Sequence, residues 1–180
     1  MAITRLNNSA VSAVSSLPNL ASLPSAIDVG KVGQVVSSTL TSHPSTTSTS
    51  FTNTGLTATI TPSSTSSKIL ITVNTGGGIS DGSYRVMFRL DGTVGTSVGN
   101  AGGNAVQTSG ATGDRGADSY TYQSVSFSFL DSPNTTSAKT YNVQFMTTNS
   151  NATVYMNRTH SQDSNTNSSI STITLREILA

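Results

Sequence analysis

Few residues in this chain could do acid–base, nucleophilic or metal chemistry. It has two histidines, no cysteine, and eight acidic side chains against nine lysines and arginines. His43 and His160 each lie in a Ser/Thr-rich segment, in no spacing that suggests a metal site or a triad, and read as exposed loop histidines. Without cysteine there is neither a disulfide framework nor a thiolate metal site. Glu177, the sole glutamate, follows Arg176, and a surface ion pair accounts for it. Asp81, Asp91, Asp114, Asp118, Asp131 and Asp163 mostly stand beside Gly, Ser or Asn, where a short carboxylate caps the amides of a turn. Glycan hydrolysis needs two carboxylates roughly 5–10 Å apart in a cleft. Asp114 and Asp118, flanking Arg115, are the one pair worth testing, and their glycine-rich setting gives no rigidity. The calcium-loop spacing of an EF-hand is absent. These residues predict no catalytic, cofactor or metal site, and a protein that works by contact rather than by turnover.

Charge narrows the partners. Charged residues make up 9% of the 180-residue chain, against roughly 25% in an average globular protein, so solubility rests on hydroxyls and amides. A formal net charge of +1, without a run of Lys and Arg, leaves no electrostatic footprint for nucleic acid or an anionic membrane. No apolar run reaches the roughly 18 residues of a membrane span, and the N-terminus has no uninterrupted apolar signal region. A surface so poor in ion pairs also loses little in high salt.

The elements that position these residues read as strands. The organising stretch is Lys68 to Gly92, two consecutive strands taken as a hairpin. Ile69, Ile71 and Val73 alternate with Leu70 and Thr72. Tyr84, Val86, Phe88 and Leu90 face opposite to Arg85, Met87 and Arg89. A strand with one greasy and one wet face belongs to an antiparallel sheet, and Asp91-Gly92 offers the positive φ of a tight hairpin turn. Upstream, Leu56, Ala58 and Ile60 alternate with Thr57, Thr59 and Thr61. Downstream, Val125, Phe127 and Phe129 alternate with serines, and Tyr141, Val143 and Phe145 alternate with Asn142, Gln144 and Met146. The run Thr93 to Gly99 is a short candidate strand, Val154 and its neighbours form another, and the last strand carries Ile173 and Leu175 inside. Eight or nine strands without a useful amphipathic helix predict an all-β, two-sheet antiparallel sandwich.

Two polar segments remain as candidate contact loops. The glycine-rich run from Gly99 to Asp118 holds Asn104, Gln107, Asp114, Arg115 and Asp118, and buries too little to be core. The run from Asn157 to Ser169 holds Arg158, His160 and Asp163. Residues 1–33 form an extended arm ahead of the sandwich domain, 34–180. Its Ile3, Leu6, Val11, Val14, Leu17, Leu20 and Leu23 would order on docking to a partner surface. The exposed Leu70, Met87, Met146 and Tyr155 together suggest a subunit interface.

Several blocks carry a resemblance: VVSSTLTS, STTSTSFTNTGLTATITPSSTSSKILITVNTGGG, FRLDGT, FSFLDSPNTTSAKTYNVQFMT, VYMNRT and STITLREI, with MAITRLNN at the start. Together they resemble a domain of tail-fibre and other structural proteins of tailed bacteriophages, particularly phages of cyanobacteria and marine bacteria. The resemblance covers most of the chain from about Gly33 onward and brings no catalytic motif. It implies a jelly-roll-like β-sandwich, a homotrimer and a place on the outside of a virion, on the tail or the capsid. Within that setting the chain would be a short tail fibre or fibre tip, joined to other virion proteins by its arm and touching a host surface glycan or protein. A capsid decoration or cement protein is the alternative, and a polysaccharide-degrading tailspike a third.

Overall fold

The structure is a computed structural model, which describes residues 31–81, 83–112, 121–162, 164 and 167–179. Among these there is no helix. The strands are β1 (Val32–Leu40), β2 (Ser45–Thr46), β3 (Thr52–Ile60), β4 (Lys68–Ile79), β5 (Val86–Asp91), β6 (Gly110–Thr112), β7 (Gln123–Asp131), β8 (Lys139–Thr147), β9 (Val154–Met156) and β10 (Ser171–Ile178).

They form two antiparallel sheets. The first runs β1-β10-β4-β9-β2, with β7 on the other side of β4; the second runs β3-β8-β5-β6. Along the chain β1, β4, β7 and β10 lie in the first sheet and β3, β5, β6 and β8 in the second, so only the β5–β6 connection among these eight strands stays within a sheet. The sheets also approach at their edges, β1 against β3 and β6 against β7. This is a β-sandwich, as the alternation requires: each strand has one greasy face, and two sheets bury those faces against each other.

The core is drawn from the alternating positions. Ile69, Ile71 and Val73 of β4 meet Val86, Phe88 and Leu90 of β5, Tyr141, Val143 and Phe145 of β8, Leu56 and Ile60 of β3, and Ile173 and Leu175 of β10. Val125, Phe127 and Phe129 of β7 pack against this core while remaining partly exposed. Truncating one such buried Leu, Ile or Phe to Ala costs about 2–5 kcal/mol, because the removed atoms leave a cavity.

Four expectations are corrected. β4 and β5 are consecutive but do not pair: β4 lies between β10, β9 and β7, whereas β5 lies between β8 and β6. Both strands need their apolar faces covered, and facing each other across the core covers both. Gly92 does have a positive φ of 92°, yet it opens a long excursion rather than a tight turn. A Cβ there would run into the Thr140 carbonyl, so the chain leaves β5 close against β8. Residues 93–99 form no strand; instead the Val94 and Gly95 amides bond the Asp131 carboxylate, and the Ser97 hydroxyl bonds the Leu90 carbonyl. Met146 is buried, because both faces of β8 are covered over its last three residues.

Two buried carboxylates close one end of the first sheet. In the paired register Ile69 of β4 has Glu177 of β10 on one side and Asp131 of β7 on the other. Asp131 is no simple turn residue. It is wholly buried, its Oδ1 accepts from the Val94 and Gly95 amides at 2.9 and 3.3 Å, and its Oδ2 accepts from the Tyr141 hydroxyl at 2.9 Å. One side chain thus joins the end of β7, the loop after β5 and the opposite sheet. Burial, then the hydrogen bond and negative charge of Asp131, push the Tyr141 phenol well above its ordinary pKa.

Glu177 makes no surface ion pair with Arg176, which is a further correction: successive strand residues point to opposite faces. Its carboxylate is buried and accepts from the Ser63 amide and hydroxyl, both at 2.6 Å, and from Gln34 Nε2 at 2.7 Å. Burial alone would raise its pKa, but the hydrogen bonds from Ser63 and Gln34 favour the ionised form more strongly and hold it at about 2.

Candidate functional site

The opposite end of the first sheet is built differently. There the last residues of β4 pair with the short β9, Gly77 opposite Met156 and Gly78 opposite Tyr155, and β9 in turn pairs with β2. Val154 and Met156 point into the core, so Tyr155 between them lies on the outer face. At Asn157 the chain turns through a positive φ of 63°, a conformation that asparagine tolerates better than most residues. The turn is pinned because Asn157 Nδ2 donates to the carbonyls of Leu40 and Ser42 at 2.8 and 2.9 Å, and its Oδ1 accepts from the Ser171 hydroxyl at 2.5 Å.

The segment after the turn folds back over the sheet. A Cβ on Gly78 would lie 2.9 Å from Thr159 Cα and 3.0 Å from both the Arg158 carbonyl and the His160 amide. Only a glycine leaves room for backbone to cross there. The triplet Gly76-Gly77-Gly78 is therefore part of a strand, and its missing side chains make space for Tyr122, the β9 backbone and residues 158–160.

This crossing assembles one cluster. The Arg158 guanidinium lies 3.8 Å over the Tyr155 ring, and the His160 ring sits 5.4 Å from the same tyrosine. Arg158 Nη1 donates to the carbonyls of Thr159 and His160 at 3.0 and 2.8 Å. Ser168 bridges back to Arg158 on the strand-like return, and its hydroxyl meets His43 Nε2 at 2.8 Å. The histidines are thus half-buried parts of a packed surface, not free loop residues. His160 Nδ1 is buried without a hydrogen-bond partner among the described residues, which is uncommon in a folded protein.

The other candidate residues lie apart from this cluster. Asn104 and Gln107 occupy the exposed 99–109 excursion, where Gln107 Nε2 bonds the Gly99 carbonyl at 2.8 Å. Asp114, Arg115, Asp118 and Asp163 lie outside the described residues, as do the arm residues Ile3, Leu6, Val11, Val14, Leu17, Leu20 and Leu23. The one carboxylate pair worth testing for hydrolysis, Asp114 and Asp118, therefore has no described geometry. Among the described residues no group of three or more His, Cys, Asp or Glu could hold a metal ion. A small cleft at the end of β4 is lined by Gly77, Gly78, Ile79, Val86 and Thr112 and carries no ionisable side chain.

Tyr155 and His43 belong to the cluster although sequence reading gave them no such role. Their partners lie across the sheet: Ser45 stands opposite Tyr155, and Ser168 is 125 residues from His43. The available signal was the Gly-Gly-Gly run inside a strand, which marks a close backbone approach. Comparison of the chain with known protein families and with curated proteins finds no match.

Proposed function

We propose that this chain is a non-enzymatic virion structural protein, a short tail fibre or fibre-tip module on the virion exterior that touches a host surface with its β-sandwich. The observation that carries this reading is where the polar groups sit. The described carboxylates with several hydrogen bonds, Asp131 and Glu177, are buried and spent on holding strands together. Among the described residues, the one packed constellation of cation, aromatic ring and imidazoles lies on the outer face, around Tyr155 and Arg158. That arrangement suits binding better than acid–base catalysis. The strand orders β1-β10-β4-β7 and β3-β8-β5-β6, with nearly every connection crossing between sheets, support a jelly roll. The phage-like sequence blocks supply the setting, and the residues ahead of β1 would be the arm that joins other virion proteins.

A decoration or cement protein on the capsid is the second reading, favoured by one feature. Val35, Arg176, Leu70 and Leu130 stand side by side across β1, β10, β4 and β7 on the outer face, and Val35 and Leu130 are 57% and 48% exposed. Such a row suits lateral contact between copies, in a homotrimer or against neighbouring capsomers. Labelling virions that carry the chain with an antibody to the sandwich separates the readings: label at the tail is expected, and label over the capsid shell establishes the decoration role instead. Incubation with host surface polysaccharide should release no new reducing ends; steady release would make the protein a degrading spike.

A further inference from the structure

Among the described residues two arginines stack on aromatic rings, and they are used in opposite ways. On the second sheet Arg89 lies 4.4 Å over the Phe51 ring, and both its Nε and Nη2 donate to Gln144 Oε1, at 3.1 and 2.6 Å. Its fork is occupied, and Gln144 is itself held by Asn53. On the first sheet Arg158 is stacked more closely, on Tyr155, and only Nη1 is engaged, by the carbonyls of Thr159 and His160. Among the described residues Nε and Nη2 have no partner. The ring and the two carbonyls fix the plane of the guanidinium, so a ligand that meets its free edge finds it already oriented.

We propose that the free edge of Arg158 is a binding site for the carboxylate of an acidic sugar residue, a uronic acid being the simplest case. A guanidinium edge offers two parallel N–H donors that match the two oxygens of a carboxylate. Among the described residues the surroundings supply hydroxyl and imidazole groups, Ser168, His43 and His160, rather than a second lysine or arginine. A cluster with a single positive charge suits one carboxylate among neutral hydroxyls. It does not suit a polyphosphate or a nucleic acid, whose binding rests on many cations. The fold has also committed backbone to holding this surface in place, through the Gly78 crossing and the Asn157 turn.

The choice of a sugar rests on the host-contact reading above, so the test separates the two. Sodium glucuronate, glucose and sodium acetate are titrated in turn into the full chain while amide and side-chain NMR resonances are followed. Glucuronate is expected to shift Tyr155, Arg158 and His43, and to bind at least tenfold more tightly than either glucose or acetate. A charge-assisted bidentate contact contributes roughly 1.5–3 kcal/mol, so R158Q should weaken glucuronate about 10–100-fold. R158K, which keeps the charge without the fork, should fall in between, and R89Q should bind as the parent does. Thermal unfolding checks that each variant is folded; if R158Q is not, R158K carries the comparison. Equal affinity for glucuronate and glucose, or undiminished binding in the folded Arg158 variant, overturns the proposal, and acetate binding as tightly as glucuronate overturns the sugar. Host-cell adsorption that persists in R158Q and is not competed by glucuronate overturns the site while leaving the host-contact role intact. Glucuronate binding without any adsorption does the reverse.

Discussion

The two ends of the first sheet are organised by side chains of opposite character. At the Lys68 end of β4, Asp131 and Glu177 flank Ile69, and every oxygen bond they make goes to a protein donor. At the Ile79 end an arginine, a tyrosine and an imidazole gather over a glycine, and part of the arginine is unspent. A buried carboxylate must be satisfied or it destabilises the fold, so the first end is closed by its own hydrogen bonds. A guanidinium at a surface keeps contact with water and can leave donors open. The difference separates the end that holds the sandwich together from the end able to recognise something.

The largest effect should come from the closed end. Asp131→Ala strands the Tyr141 hydroxyl and two loop amides, and should lower stability by about 3–5 kcal/mol in urea unfolding. Tyr141→Phe loses one bond and should cost only about 1–2 kcal/mol. A loss under about 1 kcal/mol for the alanine variant would mean that water replaces the carboxylate, and that the end is not closed.

Acid tests the same end through Glu177. Its folded pKa of about 2 lies below the ordinary 4.5, so its contribution is fully present above about pH 4.5 and is lost as the pH falls towards 2. The shift is worth about 1–3 kcal/mol. Denaturant unfolding between pH 7 and pH 2 should therefore show a steeper acid loss in the parent than in Glu177→Gln. Parallel curves would show that the carboxylate is not held ionised by Ser63 and Gln34.

Smaller losses are expected at the open end. Gly78→Ala pushes a methyl into the backbone of residues 158–160 and should cost about 1–3 kcal/mol, while shifting the Tyr155 and His160 resonances. Unmoved resonances would mean that the crossing segment is not seated on the sheet. Least of all, Thr59→Val on the exposed face of β3 removes the contact with Thr140 and should stay within about 0.5 kcal/mol in the same unfolding assay.

Much of the sandwich was legible in the chain because burial in a sheet has a period of two. Leu56 to Ile60, Ile69 to Val73, Val86 to Leu90, Tyr141 to Phe145 and Ile173 to Leu175 each alternate in the sequence and alternate in the structure. The candidate site was only half visible. Arg158 and His160 stood out as polar residues in a loop, while Tyr155 looked like one more exposed hydrophobe and His43 like a stray histidine. Ionisable residues were the least legible: Asp131 beside Ser-Pro-Asn reads as a turn, and Glu177 beside Arg176 reads as an ion pair, because local sequence carries no record of a donor 36 or 114 residues away.

Alone, the sequence determined that this chain makes strands with one greasy and one wet face, and that its surface is held in water by hydroxyls rather than charge. Which strands became neighbours, which carboxylates were taken inside and which guanidinium kept a free edge were decided only when the two sheets closed on each other. Alternation is a property of successive residues. Pairing, burial of charge and the seat over Gly78 depend on residues far apart in the chain that meet only in three dimensions.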